Sequence, residues 1–139
     1  MTKPLVSIIT PCYNGEAFLK RYFESILNQT YPNLELIFIN DGSTDRTEEI
    51  ALSYRERLEK RGITYIYEKQ ENAGQAAALN RGLKLFTGEY LTWPDSDDEM
   101  VSDAVEKKVD YLEQHPDYGF CICKTKVVNE NNPEMKCGY

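Results

Sequence analysis

Four acidic side chains lie within five residues, in the segment Asp95-Ser96-Asp97-Asp98-Glu99. They follow a short apolar run at 90–93, which is typical of a buried strand. Carboxylates this close together repel one another and raise one another's pKa unless a cation lies among them. Mg²⁺ and Mn²⁺ are commonly held by one or two carboxylates, with water and substrate phosphates at the remaining positions. The cluster therefore predicts a divalent-metal site that holds a diphosphate.

The acidic cluster also fits two simpler structures. Asp97, Asp98 and Glu99 would stabilise the N-terminus of a helix that begins near Met100, so a helix cap stays open as an alternative. An EF-hand calcium loop that starts at Asp95 needs glycine at its sixth position, where this chain has Met100. The sharp turn of that loop depends on the glycine, so a calcium loop is disfavoured.

Length and composition indicate an ordinary globular protein. The chain has 139 residues, which is one domain's worth of sequence, and 41% hydrophobic and 28% charged residues are typical values. Its formal net charge of -7 argues against nonspecific nucleic-acid binding, which needs a basic surface. An anionic ligand would therefore have to be held locally, by a metal or by backbone N–H groups.

Cysteine usage and hydropathy indicate the cytoplasm. Cys12, Cys121, Cys123 and Cys137 form no paired CxxC clusters, and His115 is the only histidine, so a structural zinc site is disfavoured. We expect reduced thiols, with Cys12 in a strand-end loop and Cys121 and Cys123 alternating along a strand. No apolar run approaches the length of a membrane span, and we expect no signal peptide.

Strand and helix patterns alternate along the chain. Apolar and β-branched runs predict strands at 5–10, 34–40, 63–67, 89–93 and 118–128. Helical periodicity predicts helices at 17–29, 45–62 and 75–88, and a fourth that begins near residue 100. The polar stretch 129–133 then breaks the pattern, and we expect 129–139 to be a mobile tail.

Two of the predicted helices carry an apolar face that can be written residue by residue. On the third helix Ala76, Leu79, Leu83 and Phe86 share a face at helical spacing. On the fourth helix the corresponding residues are Val101, Val105, Val109 and Leu112.

The alternation predicts an α/β fold, with a mainly parallel sheet and helices on both faces. In such sheets ligands bind beyond the carboxyl ends of the strands, where the strand order reverses. Three loops leave those ends, at 11–15, 40–45 and 94–99. A strand order of 3-2-1-4 would make the first and third of these loops face each other.

These loops also carry a resemblance to a known family. The resemblance lies in Val6-Ser7-Ile8-Ile9-Thr10-Pro11-Cys12-Tyr13-Asn14, Ile39-Asn40-Asp41-Gly42-Ser43-Thr44-Asp45 and Asp95-Ser96-Asp97-Asp98, and in Asn72-Ala73-Gly74-Gln75 followed by Asn80-Arg81-Gly82. In this order and at these intervals they resemble the nucleotide-binding half of glycosyltransferase family 2, which has the Rossmann-like GT-A fold. The resemblance spans Val6 to about Glu99.

The resemblance implies a nucleotide-diphosphate sugar as donor, with UDP preferred. Pro11, Tyr13 and Asp41 then line the base pocket, and Asp41 accepts a hydrogen bond from a base N–H. Asn14 follows in the same loop and is assigned to nucleotide binding with them. The implied acceptor is a glycan or a lipid-linked glycan.

The acidic cluster becomes the D-x-D element under the same resemblance. Of Asp95 and Asp97, one would face the ribose and the other the Mn²⁺ or Mg²⁺ ion on the diphosphate. We expect Asp97 to be the more direct metal ligand and Asp98 to support it. The metal would offset the charge that develops on the departing diphosphate.

Transfer in this family is inverting, and the family places its carboxylate base beyond the fifth strand. Glu130 and Glu134 lie in the polar tail, where nothing positions them against an acceptor, so both are disfavoured as the base. We expect residues 1–139 to be the donor half of a GT-A domain, with the base beyond Tyr139 and little turnover by this chain alone. Peripheral membrane association of a longer protein is compatible with this expectation.

One position departs from the family. Leu79 stands where many relatives carry arginine, and leucine fits the apolar face there. Arg81 is only a weak candidate for nucleotide contact, because it faces another side of the helix.

Other functions are weighed by their motifs. Neither G-x-G-x-x-G nor a Walker-type glycine loop follows the first strand, which excludes dinucleotide and P-loop sites. A glycoside hydrolase needs two separated carboxylates, which one acidic cluster does not provide. A sugar nucleotidyltransferase would want a basic, glycine-rich loop after the first strand. It remains an alternative, as does a module that binds nucleotide-sugar without transferring it.

Overall fold

The computed structural model describes residues 2–128 and residue 131. Its strands are β1 (Val6–Cys12), β2 (Leu34–Asp41), β3 (Thr64–Gln70) and β4 (Tyr90–Thr92). Its helices are α1 (Leu19–Leu27), α2 (Thr47–Ser53), α3 (Arg55–Lys60), α4 (Gln75–Gly82) and α5 (Ala104–Gln114). The chain divides into two compact units, Met1–Lys107 and Lys108–Tyr139, and the sheet lies wholly within the first.

The four strands form one parallel sheet in the order β3-β2-β1-β4. The predicted fold class is thus confirmed, and the observed order is the one in which β1 and β4 are neighbours. β1 pairs with β2 along its whole length, from Val6↔Leu34 to Cys12↔Asn40. β4 pairs with β1 only as far as Ile8↔Thr92. The carboxyl end of β1 is therefore open on its β4 side, and Pro11, which has no N–H to donate, lies in this open part.

Helices cover both faces of this sheet because its central strands are apolar on both sides. Ile9, Ile37 and Ile39 pack on one face with Ala78 of α4. On the opposite face Phe38 meets the ring of Phe23 from α1, with ring centroids 5.4 Å apart. Burial of these large side chains on both sides makes the sheet the rigid support of the loops at its carboxyl end.

The predicted helix at 45–62 is two helices with a break at Tyr54. The backbone of Tyr54 stays near helical values, at φ -84° and ψ -10°, so the break is shallow. Its ring stacks on Phe23 at 4.7 Å, and its hydroxyl donates to Glu24 at 3.0 Å. Tyr54 and Leu58 are both buried.

The predicted face of the third helix is largely wrong. Ala76 is exposed and Leu83 and Phe86 are 38% and 37% exposed, whereas the buried positions are Ala78 and Gly82. A Cβ on Gly82 would collide with Ile9, so only glycine lets α4 approach β1 this closely. The helix ends at Gly82 and not near Gly88, and tight turns follow it. The residues after it are therefore off the helical face.

Two further predictions near the C-terminus are wrong. Val101 is 71% exposed, because α5 begins only at Ala104, although Val105 and Val109 are buried as predicted. Residues 118–128 form no strand, and Phe120 and Ile122 in this segment are 79% and 88% exposed. A strand needs a neighbouring backbone to pair with, and within the described residues none pairs with this segment.

The polar tail at 129–139 lies outside the described residues except for Asn131. Glu130, Glu134 and Cys137 are therefore not placed. Among the described residues, none of the helices has both the length and the apolar composition needed to cross a bilayer.

Candidate functional site

A cavity of about 350 Å³ opens at the carboxyl ends of the strands, within the unit Met1–Lys107. It lies where the strand order reverses between β1 and β4, the expected ligand position in a doubly wound sheet. The open end of β1 is braced there by Thr10, whose hydroxyl donates to the carbonyl of Pro94 at 3.1 Å. The cavity is lined by Pro11, Cys12, Tyr13, Asn14, Gly15, Phe18, Asp41, Gln75, Asp95, Ser96 and Asp97.

All of the predicted site residues except Asp98 line this cavity. Tyr13 is 53% exposed, so its ring offers an open face to a planar ligand. Pro11 precedes it at the open end of β1. Residues from three segments far apart in sequence thus meet at one place.

Asn14 ties the first loop to the second. Its backbone has φ +50°, a conformation that asparagine tolerates better than most residues. Its side-chain Oδ1 accepts from the N–H of Thr44 at 2.8 Å, and its own N–H donates to the Ser43 hydroxyl at 3.0 Å. The side-chain Oδ1 and the backbone N–H of Asn14 therefore hold the two loops together.

A second pair of contacts extends this connection. The N–H of Gly15 donates to the Thr47 hydroxyl at 2.9 Å, and the N–H of Glu16 donates to Asp45 Oδ2 at 3.1 Å. The other oxygen of Asp45 accepts from the Thr47 N–H at 2.9 Å. Asp45 thus satisfies the first N–H of α2 and fixes the first loop at the same time.

Asp41 is the most firmly held of the predicted site residues. It is 3% exposed, and its Oδ1 accepts from Gln70 Nε2 at 2.8 Å and from the Ala73 N–H at 2.9 Å. Its Oδ2 accepts from the Gly74 N–H at 2.9 Å. Burial opposes ionisation of Asp41, but these hydrogen bonds outweigh it, and the pKa of Asp41 lies below its usual value. One lone pair of Oδ2 is left for a further donor.

The neighbouring Asn40 fixes the turn from the opposite face of the sheet. It is fully buried, and its Nδ2 donates to the Tyr67 hydroxyl at 2.9 Å. Its Oδ1 accepts from the Ser43 N–H at 2.9 Å. The Tyr67 hydroxyl in turn donates to Glu48 at 2.7 Å. Burial and the nearby Glu48 carboxylate raise the pKa of Tyr67 to about 12.

Only some residues of the acidic cluster belong to the cavity. Asp95 and Asp97 line it, whereas Asp98 does not. The N–H of Asp98 donates to the Asp95 carbonyl at 3.2 Å, which closes a tight turn. Loss of solvation and the Asp97 and Asp95 charges raise the pKa of Asp98. No helix starts within the cluster, so these residues are not a helix cap.

The described residues hold no group of three or more His, Cys, Asp or Glu side chains arranged to bind a metal. The three carboxylates predicted as metal ligands, Asp95, Asp97 and Asp98, are thus not gathered into a ready three-ligand site. Among the described residues that line the cavity there is also no lysine or arginine. Arg81, the weak candidate for nucleotide contact, pairs with Glu68 instead, and Leu79 packs against the core.

Sequence reasoning gave no site role to five lining residues, namely Cys12, Gly15, Phe18, Gln75 and Ser96. Gln75 is the informative one, because its Nε2 donates to Asp95 Oδ1 at 2.8 Å. The sequence did contain a signal for Gln75, because this residue follows Asn72-Ala73-Gly74 in one of the segments that carry the family resemblance. Burial raises the pKa of the Cys12 thiol, which is 3% exposed.

Comparison with known proteins gives a consistent result. The family model "Glycosyl transferase family 2" matches residues 7–137. An uncharacterized glycosyltransferase of Haemophilus influenzae is 42% identical over 145 residues, which cover 100% of this chain and 57% of that protein. An uncharacterized glycosyltransferase of Rickettsia prowazekii is 37% identical, over 96% of this chain and 40% of that protein.

Solved structures show the same fold. The S. aureus TarS structure (residues 1-349) in complex with UDP superposes with a TM-score of 0.73 and 26% identity, over 81% of this chain and 33% of that one. Mannosyltransferase PcManGT from Pyrobaculum calidifontis, in complex with GDP-Man and Mn2+, gives a TM-score of 0.72 and 29% identity, over the same 81% and 33%. This chain therefore spans between a third and about three fifths of the proteins compared.

Proposed function

The chain belongs to glycosyl transferase family 2, and from this premise we propose that its cavity binds a nucleotide-diphosphate sugar, with UDP as the preferred nucleotide. The bound donor would supply an inverting, metal-dependent glycosyl transfer to an acceptor hydroxyl. One observation carries the proposal: Tyr13, Asp41 and Asp97, from three distant segments, line a single cavity at the switch point of the sheet. The UDP and GDP-Man complexes of the two similar structures support it.

The nucleobase fits the end of the cavity formed by the first two loops. The exposed ring of Tyr13 supplies a stacking surface beside Pro11. The remaining lone pair on Asp41 Oδ2 accepts one N–H, and the three hydrogen bonds already made to Asp41 fix the direction from which that donor arrives. Asn14 contributes by holding the first loop against the second.

A divalent cation fits the other end. Three lining residues, Asp41, Asp95 and Asp97, are carboxylates, and the described lining has no cationic side chain. A diphosphate would be repelled there unless a cation lay between. Because no protein cage of three ligands exists among the described residues, Mn²⁺ or Mg²⁺ would take Asp97 and Asp95 and complete its shell with diphosphate oxygens and water. When bound, the metal would stabilise the charge of the leaving diphosphate.

Asp98 takes a supporting role in this proposal. Its pKa is raised by lost solvation and by the two neighbouring carboxylates. Repulsion of this kind is relieved when a cation binds nearby. Asp98 would therefore strengthen the negative potential that attracts the ion without having to ligate it.

Transfer itself requires a base that removes the acceptor proton as the hydroxyl attacks the anomeric carbon from the face opposite the diphosphate. Among the described residues that line the cavity, the only carboxylates are those already assigned to the nucleobase or to the metal. We therefore propose that this chain binds the donor but turns it over poorly by itself. A glycan or lipid-linked acceptor and contact with the inner face of the membrane rest on the family resemblance, and a cytoplasmic location rests on the cysteine usage and hydropathy of the sequence.

Calorimetric titration with UDP tests the donor site. We expect the affinity of the wild-type chain for UDP to rise at least about tenfold when Mn²⁺ is added. Asp97→Ala should lose most of that gain, because it removes the main metal ligand. Asp110→Ala, which removes an exposed carboxylate of α5 outside the cavity lining, is the control. Titration with GDP in place of UDP measures the nucleotide preference.

The proposal is overturned if neither nucleotide binds in the presence of Mn²⁺. Binding that is the same with and without the metal, or unaffected by Asp97→Ala, would remove the metal role. Unchanged midpoints of thermal unfolding in both variants would show that any loss of affinity is local to the cavity.

A further inference from the structure

Gln75 makes a contact in the cavity that the proposed roles above do not use. It is the first residue of α4 and its side chain is exposed to the cavity. Its Nε2 donates a hydrogen bond of 2.8 Å to Oδ1 of Asp95. Among the described residues Asp97 has no hydrogen-bond or ion-pair partner of this kind. The Asp95 carboxylate is therefore held by a neighbouring side chain, whereas the Asp97 carboxylate is not.

The backbone that carries Gln75 is itself fixed by Asp41, another residue of the cavity lining. The N–H groups of Ala73 and Gly74 both donate to the Asp41 carboxylate, each at 2.9 Å. Asn72 Nδ2 donates to the Asp41 carbonyl at 3.1 Å. Gly74 adopts φ +91°, a conformation that glycine reaches without strain. The start of α4 is therefore a rigid connection between Asp41 and Asp95.

The chemistry of the amide suits this position. A neutral amide can donate to a carboxylate without adding charge, so it fixes the orientation of Asp95 and leaves the negative potential of the cavity intact. A lysine or arginine there would pair with Asp95 and compete with a metal for it. A glutamate would repel Asp95 from its present orientation.

We infer that Gln75 is a positioning residue of the donor site: it orients the Asp95 carboxylate and thereby sets the affinity for a nucleoside diphosphate with its metal. The inference rests on the proposed function and deepens it. It assigns to the start of α4 the connection between Asp41, which would bind the nucleobase, and Asp95, which would bind the metal on the diphosphate. Gln75 acts through Asp95, so its effect on binding exists only while Asp95 is present.

A double-mutant cycle tests this dependence. The affinity for UDP with Mn²⁺ is measured for the wild type, Gln75→Leu, Asp95→Ala and the double variant. A hydrogen bond to a charged group has a net value that corresponds to a factor of about ten to a hundred in affinity. We expect Gln75→Leu to weaken binding by a factor in that range, and to add less than about twofold once Asp95 is alanine.

Two further variants separate geometry from charge. Gln75→Glu keeps the shape but removes the donor, and it should weaken binding at least as much as Gln75→Leu. Ala76→Glu adds the same charge at the next residue of α4, which is exposed and does not line the cavity. It should leave the affinity close to that of the wild type. Because both positions are exposed, the midpoint of thermal unfolding should stay unchanged in all three variants.

The outcomes distinguish the inference from the function it rests on. If the wild type binds neither UDP nor GDP with Mn²⁺, the proposed function falls and the inference falls with it. If the wild type binds and Gln75→Leu binds equally well, only the inference is overturned. Equal losses from Gln75→Leu with and without Asp95, or an equal loss from Ala76→Glu, would also overturn it.

Discussion

Neutralising Asp41 should destabilise the fold as well as the donor site. The carboxylate is 3% exposed and accepts three hydrogen bonds, from Gln70, Ala73 and Gly74. In Asp41→Asn one oxygen becomes an NH₂ group, so one of these N–H donors faces another donor. The remaining bonds lose the charge on their acceptor.

The size of the effect follows from the number of bonds. A hydrogen bond to a charged acceptor contributes about 1.5–3 kcal/mol, against about 0.5–1.5 kcal/mol for a neutral one. Loss of about 1 kcal/mol from each of three bonds predicts that Asp41→Asn lowers the free energy of unfolding by about 3 kcal/mol at neutral pH. Asp110→Asn, on the exposed face of α5, should change it by less than about 0.5 kcal/mol.

The pH dependence gives a second check. The pKa of Asp41 is lowered in the folded state, so its ionised form stabilises the protein above the unfolded pKa, about 3.9. This stabilisation is lost as the pH falls through the folded pKa. The difference between wild type and Asp41→Asn should thus be constant near neutrality and shrink below about pH 4.

Urea unfolding followed by circular dichroism measures both quantities. A difference below about 0.5 kcal/mol at pH 7 would refute the role given to the three hydrogen bonds, since that is within the range of an ordinary surface substitution. A difference that stays the same at low pH would show that the charge of Asp41 is not what the variant removes.

Two other predictions concern the packing of α4 and the thiol in the cavity. Gly82→Ala should lower the free energy of unfolding by about 1–3 kcal/mol, because its Cβ would collide with the buried Ile9. Gly119→Ala, where an added Cβ meets nothing within 4 Å, is the control, and equal stability of both variants would contradict the packing argument. Cys12 should react with iodoacetamide more slowly at pH 7 than the exposed Cys123, because burial raises its pKa. Its rate should still be rising above pH 9, and peptide mass spectrometry would contradict this if both thiols were labelled alike.

The first four strands could be predicted because their signals are local and repeated. The runs that became β1 and β2 are apolar on both faces, which favours a covered parallel sheet. With helices between them, only a few topologies are compatible with right-handed crossovers. The order 3-2-1-4 is one of these topologies, and the structure shows that it is the one adopted.

The wrong predictions for α4 and for the segment 118–128 have a common physical cause. The face of α4 was predicted from large apolar residues, yet Ala78 and Gly82 are the ones that pack, because the close approach to Ile9 excludes anything larger. The segment 118–128 has a strand pattern but no partner among the described strands. Periodicity reports which residues are apolar, but the distance between elements and the presence of a partner are tertiary properties.

The sequence by itself determined the identities of the groups at this site, since carboxylates and an aromatic ring at strand ends need no neighbours to be recognised as ligands. It also determined the sheet that carries them. Only the tertiary structure decided how each group is held. Asp41 is fixed by N–H groups that lie 32 and 33 residues away, and Asp95 is held by Gln75 from 20 residues away. Hydrogen bonds of such long sequence separation depend on how the loops converge, and no local pattern encodes that.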